Sequence, residues 1–277
     1  MSGVLACQEI ADLIERGEIA SEPDIIPAQI QPASLDLRLG NTAWRVRASF
    51  LAGKNDKVEQ RLADFEMHQI DLSAGYVLEK GCVYVVPLME RLNLPQDVQA
   101  VTNAKSSTGR LDLLTRVITD QGTEFDRIPP GYQGQLYAEI CPRSFSVLVR
   151  PGMRLNQIRF RSGQAILSDS QLLELHKAET LVNGPAIIDD GLGFSVDLKP
   201  RHGSLVGYRA KPHTGVIDLE QIGAYEPADF WEELHSGNGQ IILDPGAFYI
   251  LVSREAVNIP SNCAAEMAPY IAMIGEF

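Results

Sequence analysis

The second half of this chain repeats the first, and that repeat limits the folds open to it more than any other feature. Glu79-Lys80-Gly81-Cys82-Val83-Tyr84-Val85-Val86, followed by Leu92-Asn93-Leu94-Pro95, returns as Asp244-Pro245-Gly246-Ala247-Phe248-Tyr249-Ile250-Leu251, followed by Val257-Asn258-Ile259-Pro260. The offset is 165 residues, both from Gly81 to Gly246 and from Pro95 to Pro260. Ala33-Ser34-Leu35-Asp36-Leu37 is echoed at 161 by Phe194-Ser195-Val196-Asp197-Leu198, and the run 4–10 at 162 by 166–172. Chance could produce one such match. Three in the same order read as tandem duplication with a period of about one domain. The expected units are 1–164 and 165–277. The second copy reads as incomplete, ending 17 residues past Pro260 at Phe277, where the first continues for about 70 past Pro95. The charged stretch 200–240 reads as an insertion within it.

Each copy opens on apolar residues at i, i+3 and i+4, such as Ile10, Leu13 and Ile14, which predicts an amphipathic helix. Beyond that helix the first copy is a series of short β-rich runs divided by Gly, Pro, Asp and Asn: 83–87, 113–119, 135–140, 146–149 and 154–160. That spacing predicts a mainly β fold, a barrel or sandwich with a few short helices. Arg150-Pro151-Gly152-Met153 marks a turn between two runs, with Pro fixing φ and Gly accepting φ > 0.

Composition narrows the function. With 45% hydrophobic and 22% charged residues the chain reads as soluble and globular, and no run approaches the ~18 apolar residues of a membrane span. The net charge of −12 disfavours a nucleic acid polymer or an anionic membrane as partner, while leaving room for a small anion in one basic pocket. The N-terminus lacks the basic start and apolar core of a signal peptide, so a cytoplasmic location is expected. Cys7, Cys82, Cys141 and Cys263 are scattered without a C-x-x-C pair, which argues against zinc and disulfides and for buried reduced thiols.

Such a basic pocket is offered by residues 104–110, Ala-Lys-Ser-Ser-Thr-Gly-Arg. Lys105 and Arg110 bring positive charge, Ser106 and Ser107 bring hydroxyl donors, and Gly109 permits close backbone approach. Charge-assisted hydrogen bonds make this mixture suited to phosphate; a polar turn capping a helix is the plainer reading. Further on, Gln135-Leu136-Tyr137-Ala138-Glu139-Ile140-Cys141 puts Glu139 on an apolar strand, on one face with Tyr137 and Cys141. A buried carboxylate is costly unless paired or used. Proton transfer is one use, and an ion pair with Arg110 or Arg116 is the structural alternative. Between the two lies a turn-rich hairpin from Thr119 to Gly134. In it Asp126 could accept from a sugar hydroxyl and Tyr132 could stack on a sugar or base, or the hairpin is an ordinary loop over a packed aromatic.

Taken together, residues 30–41, 105–111, the Asp126…Pro129-Pro130-Gly131-Tyr132-x-Gly134 hairpin, Ala138-Glu139 and 150–153 resemble dCTP deaminases in order and approximate spacing, across about residues 4–164. The resemblance implies the distorted β-barrel of the trimeric dUTPase-like superfamily, here duplicated in tandem, and hydrolysis of dCTP to dUTP and ammonia. Glu139 would activate water to attack C4 of cytosine and then help ammonia leave. Ser106 and Arg110 would flank the reacting centre, and Lys105, Ser106 and Ser107 would hold phosphates. The backbone at Thr119 would place the water, Tyr137 to Glu139 would read the base edge, and Asp126 and Tyr132 would hold the deoxyribose. No cofactor is implied; magnesium would arrive bound to the triphosphate. A homo-oligomer, with a trimer favoured, is implied by superfamily sites formed between subunits.

The chain departs from the pattern in places. Lys105 replaces the usual arginine, Thr108-Gly109 replaces Leu-Ala, and two extra residues follow Asp126. The tail that closes over the triphosphate has no counterpart after Gly163. In the second copy the phosphate segment aligns with 268–275, which has neither the serines nor the arginine, so one active site per chain is expected. The zinc deaminases are disfavoured because no histidine begins H-x-E and no C-x-x-C exists. The remaining alternatives are a dUTP diphosphatase or bifunctional deaminase, and a non-catalytic nucleotide-binding scaffold.

Overall fold

Helix α1 (Cys7–Glu15) forms where the periodicity places it, with Ile10 and Leu13 buried on one face. The Glu9 carboxylate accepts from the backbone N–H of Ala6 at its start, at 2.9 Å. Its end is a Schellman motif: Gly17, at φ +72°, donates to Ile14, and Glu18 donates to Leu13. The computed structural model describes residues 3–199 and 203–268, in two compact units, 1–165 with 213–225 and 166–212 with 226–277.

The first unit is built from two six-stranded sheets. One runs Arg127–Ile128, Val98–Ala104, Arg154–Ser162, Ser34–Arg38, Ile30–Gln31, with Gly3–Val4 also pairing on Arg154–Ser162. The other runs Leu113–Thr119, Gln133–Pro142, Val83–Asn93, Thr42–Val46, Glu66–Asp71, with Ile19–Ser21 also pairing on Val83–Asn93. The mainly β expectation holds, but the strands do not close into a barrel. The first sheet stops at two-residue strands, and the second at Leu113–Thr119 and at Glu66–Asp71, an edge kept in solvent by Glu66, His68 and Asp71. Short and charged edges resist further pairing.

Helix α2 (Val58–Phe65), absent from the sequence-based expectations, lays Val58, Leu62 and Phe65 over the second sheet. Its apolar side joins Val46, Phe50, Ala52, Val85, Ile118 and Tyr137 in one cluster. The Asp120 carboxylate accepts from the Val58 N–H at 2.8 Å, which caps the helix. A single helical turn, α3 (Ser106–Gly109), leads out of the Val98–Ala104 strand. In the Ser34–Arg38 strand every residue is buried. Its polar side chains are therefore paired: Asp36 with Lys105 and Arg154, and Arg38 with Glu90.

The second unit contains α4 (Asp169–Ala178), capped by Ser168 and Gln171, which bond each other's backbone N–H groups. Within the stretch 200–240, expected to be a loop-like insertion, residues 203–240 carry regular strands. Leu205–Ala210 is the central strand of a three-stranded sheet between Trp231–His235 and Tyr249–Leu251. Residues 213–225 belong to the first unit, where Ile217–Asp218 pairs in parallel with Val147–Val149. The Arg150 guanidinium bonds both Asp218 oxygens there, at 2.9 and 3.1 Å. The turns at Gly81 and Gly246 have matching geometry, φ +78° and +75°, and in each a tyrosine hydroxyl five residues on accepts from the turn's first N–H. Of the segment 268–275, read as the second copy's phosphate motif, all but Ala268 lies outside the described residues. The four cysteines are free and half-buried rather than fully buried.

Candidate active site

Glu139 lies on the Gln133–Pro142 strand, directly across from Arg116 on Leu113–Thr119 and from Val85 on Val83–Asn93. Only 2% of its side chain is exposed. Both Nε and Nη2 of Arg116 donate to the same carboxylate oxygen, Oε1, the first at 3.2 Å. Oε2 is buried and receives no hydrogen bond. Of the two pairings left open by the sequence, Arg116 is therefore the partner. Arg116 is itself fixed from two sides: its guanidinium carbon sits 3.7 Å from the Phe125 ring centroid, and Nη2 donates to Ser49 Oγ at 3.1 Å. Sequence reasoning missed Phe125 and Ser49; they lie 14 and 90 residues from Glu139 and no local pattern marks them.

Tyr137 shares the Glu139 face, as alternation requires, but it is packed into the core. Its hydroxyl donates to Glu59 Oε1 on α2 at 3.2 Å, and burial pushes its pKa up. Ala138 is fully buried and paired through its backbone with Val117 and Val86. Thr119 closes the ladder opposite Leu136, with a buried Oγ1 that has no hydrogen-bond partner. A Cβ on Gly122 would stand 2.6 Å from that oxygen, so the turn over Thr119 needs glycine.

The hairpin residues are committed elsewhere. Asp126 adopts φ +61°. Its Oδ1 accepts from Thr102 Oγ1 at 2.6 Å and from the Val117 N–H at 2.8 Å. Burial pushes its carboxyl above the ordinary range, against those two bonds and the pull of Arg116. Tyr132 is 8% exposed; its hydroxyl donates to the Gln135 carbonyl at 2.6 Å and accepts from the Asp120 N–H. Its ring is packed beneath the loop and presents no open face for stacking.

The basic segment surrounds the four-residue helix α3. Ser106, Ser107 and Arg110 are exposed, and Arg110 has no ion pair among the described residues, so all three are available to an anion. Lys105 is not: its ammonium pairs with the buried carboxylate of Asp36. Thr108 is buried and donates to the Leu155 carbonyl at 3.0 Å. The ladder that follows this segment begins at Leu113 opposite Pro142, and Glu139 stands three rungs further in, roughly 10 Å along the sheet from Leu113. No cluster of three or more His, Cys, Asp or Glu side chains suited to a metal exists among the described residues. No helix among them is long and apolar enough to cross a membrane.

Residues 1–164 match the 2'-deoxycytidine 5'-triphosphate deaminase (DCD) N-terminal domain, and residues 168–277 match the C-terminal domain of the same family. Among curated proteins, the chain is similar to a dCTP deaminase of Haloarcula marismortui, with 29% identity over 160 residues covering 57% of this chain and 79% of that protein. It is also similar to a dUMP-forming dCTP deaminase of Dictyoglomus thermophilum, with 28% identity over 159 residues and the same coverage. Among solved structures, the 2'-deoxycytidine 5'-triphosphate deaminase of Agrobacterium tumefaciens superposes with a TM-score of 0.89 at 52% identity, over 94% of this chain and 79% of that one.

Proposed function

The chain belongs to the dCTP deaminase family, and from that premise we propose that it hydrolyses dCTP to dUTP and ammonia with Glu139 as general base and acid. Support comes chiefly from the Glu139 carboxylate: it is buried on a central strand, held at one oxygen and undonated at the other. An undonated buried carboxylate oxygen is expensive in a purely structural role and suited to a water or an amino group.

In this reading Glu139 takes a proton from water as the oxygen adds to C4 of cytosine. It delivers that proton to N3 as the tetrahedral adduct forms, then takes the proton of the C4 hydroxyl and passes it to the exocyclic nitrogen; the C4–N bond breaks, ammonia leaves, and the C4 carbonyl of uracil forms. Positioned proton transfer of this kind supplies roughly 10²–10⁴-fold. The backbone at Thr119 would orient the water, and the buried Tyr137–Glu139 strand would read the base edge. Ser106, Ser107 and Arg110 would hold the magnesium-bound triphosphate, which enters as substrate. Lys105 would shape that segment through Asp36 rather than grip phosphate. Asp126 and Tyr132 would shape the pocket floor beneath the sugar. In this reading the site is completed by a second copy, in a homo-oligomer such as a trimer.

Incubation with dCTP and separation of the products tests the reading. Ammonia and dUTP support it. The dUMP-forming relatives keep a bifunctional enzyme as the second reading, supported instead by ammonia, dUMP and pyrophosphate. Recovery of unchanged dCTP overturns both.

A further inference from the structure

We infer that Arg116 is a positioning residue for this reaction: it fixes Glu139 by one oxygen and so aims the other at the reacting atoms. The inference rests on the deamination reading above and adds a residue to it. The geometry of the pair carries it. Arginine–carboxylate pairs are frequently fork to fork, one N–H for each oxygen. Arg150 meets Asp218 that way in this same molecule, Nη1 on Oδ1 and Nη2 on Oδ2. Arg116 instead turns two nitrogens onto Oε1 and leaves Oε2 without a donor.

The guanidinium cannot slide across to share itself. Phe125 stacks against its face at 3.7 Å, and Ser49 takes a bond from Nη2. The strands add a second constraint, because Arg116 and Glu139 are direct cross-strand partners in an unbroken seven-rung ladder. Arg116 thus locks the carboxylate rotamer from its own strand, and the hairpin aromatic locks Arg116. No atom of Arg116 needs to touch substrate for this to matter. Geometry displaced by about an ångström can cost on the order of a hundredfold in rate.

The test is steady-state dCTP deamination by the wild type, Arg116→Gln and Arg116→Lys, with nucleotide affinity and thermal melting measured on each. For Arg116→Gln the expected result is a fall in kcat of roughly a hundredfold with KM for dCTP and nucleotide affinity within about twofold, well inside the tenfold that 1.4 kcal/mol represents. Arg116→Lys keeps the charge but not the fork and should recover part of the lost kcat, again without moving KM. If Arg116→Gln does not fold, Phe125→Leu and Arg116→Lys carry the same expectation of a kcat loss at unchanged KM. An unchanged kcat overturns the proposal, as does a rise in KM alone, which would make Arg116 a substrate ligand. A higher kcat also overturns it, since the pair would then restrain the base. A wild type that leaves dCTP intact defeats the parent reading instead, so the two failures are distinguishable.

Discussion

Glu90 and Glu139 occupy neighbouring strands of one sheet, and each is buried against an arginine. Their surroundings differ in one respect. Glu90 Oε1 accepts from Arg38 Nε and Gln29 Nε2, both at 2.8 Å, and Oε2 accepts from the Arg38 backbone N–H, also at 2.8 Å. Arg38 in turn donates to Ser21, Pro23 and Asp24. Both Glu90 oxygens and all three guanidinium nitrogens of Arg38 are hydrogen-bonded, as expected of a pair whose work is to hold the fold. Glu139 has one oxygen doubly bonded and the other bare, and its arginine is 30% exposed where Arg38 is 6%. Burial alone does not separate a structural carboxylate from a chemical one; unspent hydrogen-bonding capacity does.

The comparison breaks most visibly at Glu90. Replacing it with Gln removes the charge facing Arg38, and loss of one partner from a buried pair costs about 3–5 kcal/mol. Denaturant melts of Glu90→Gln should show that loss in the first unit's transition, while ammonia release per folded molecule stays near wild type. A stable but inactive variant would show that the two glutamates are not divided as argued.

Arg110 sharpens the comparison from the side of the arginines, being exposed and unpaired among the described residues where Arg38 is buried and fully bonded. Arg110→Ala should lower kcat/KM for dCTP by about tenfold or more, equivalent to ~1.4 kcal/mol. Its stability should stay within about 0.5 kcal/mol, as for other exposed positions. A large stability loss would place Arg110 in the fold rather than in ligand binding.

Asp126 gives the smallest effect. Burial raises its folded pKa, so the folded state holds this proton more tightly than the unfolded chain does. Wild-type stability therefore falls as pH rises from about 4, the ordinary Asp value, through the raised folded value. Asp126→Asn lacks that titration, and its stability relative to wild type should climb across the same window in paired denaturant melts. Parallel pH curves would contradict the assignment.

Much of this was legible in the sequence because it is local. The Leu113–Thr119 strand coincides with its apolar run, α1 and α4 fall on their periodic segments, and alternation put Glu139 and Tyr137 on one face. Helix α2 was missed, although Val58, Leu62 and Phe65 stand at i, i+4 and i+7. The 205–210 strand falls within a stretch that reads as loop-like from Pro227-Ala228-Asp229 and His235-Ser236-Gly237-Asn238-Gly239, and it carries Gly207. That glycine marks close strand packing instead, since a Cβ there would meet the Ile250 carbonyl at 2.5 Å. Other features depend on contacts distant in sequence: open sheets in place of a barrel, Lys105 drawn onto Asp36, and Arg116 turned onto one oxygen by Ser49 and Phe125. A linear pattern holds no signal for these.

The most direct measurement is ammonia release from dCTP by wild type, Glu139→Gln and Glu90→Gln in parallel, at matched folded fractions and with nucleotide binding recorded for each. Glu139→Gln should bind dCTP but release ammonia at least about 10²-fold more slowly, while Glu90→Gln turns over near the wild-type rate. Sustained ammonia release by Glu139→Gln would contradict the account at its centre.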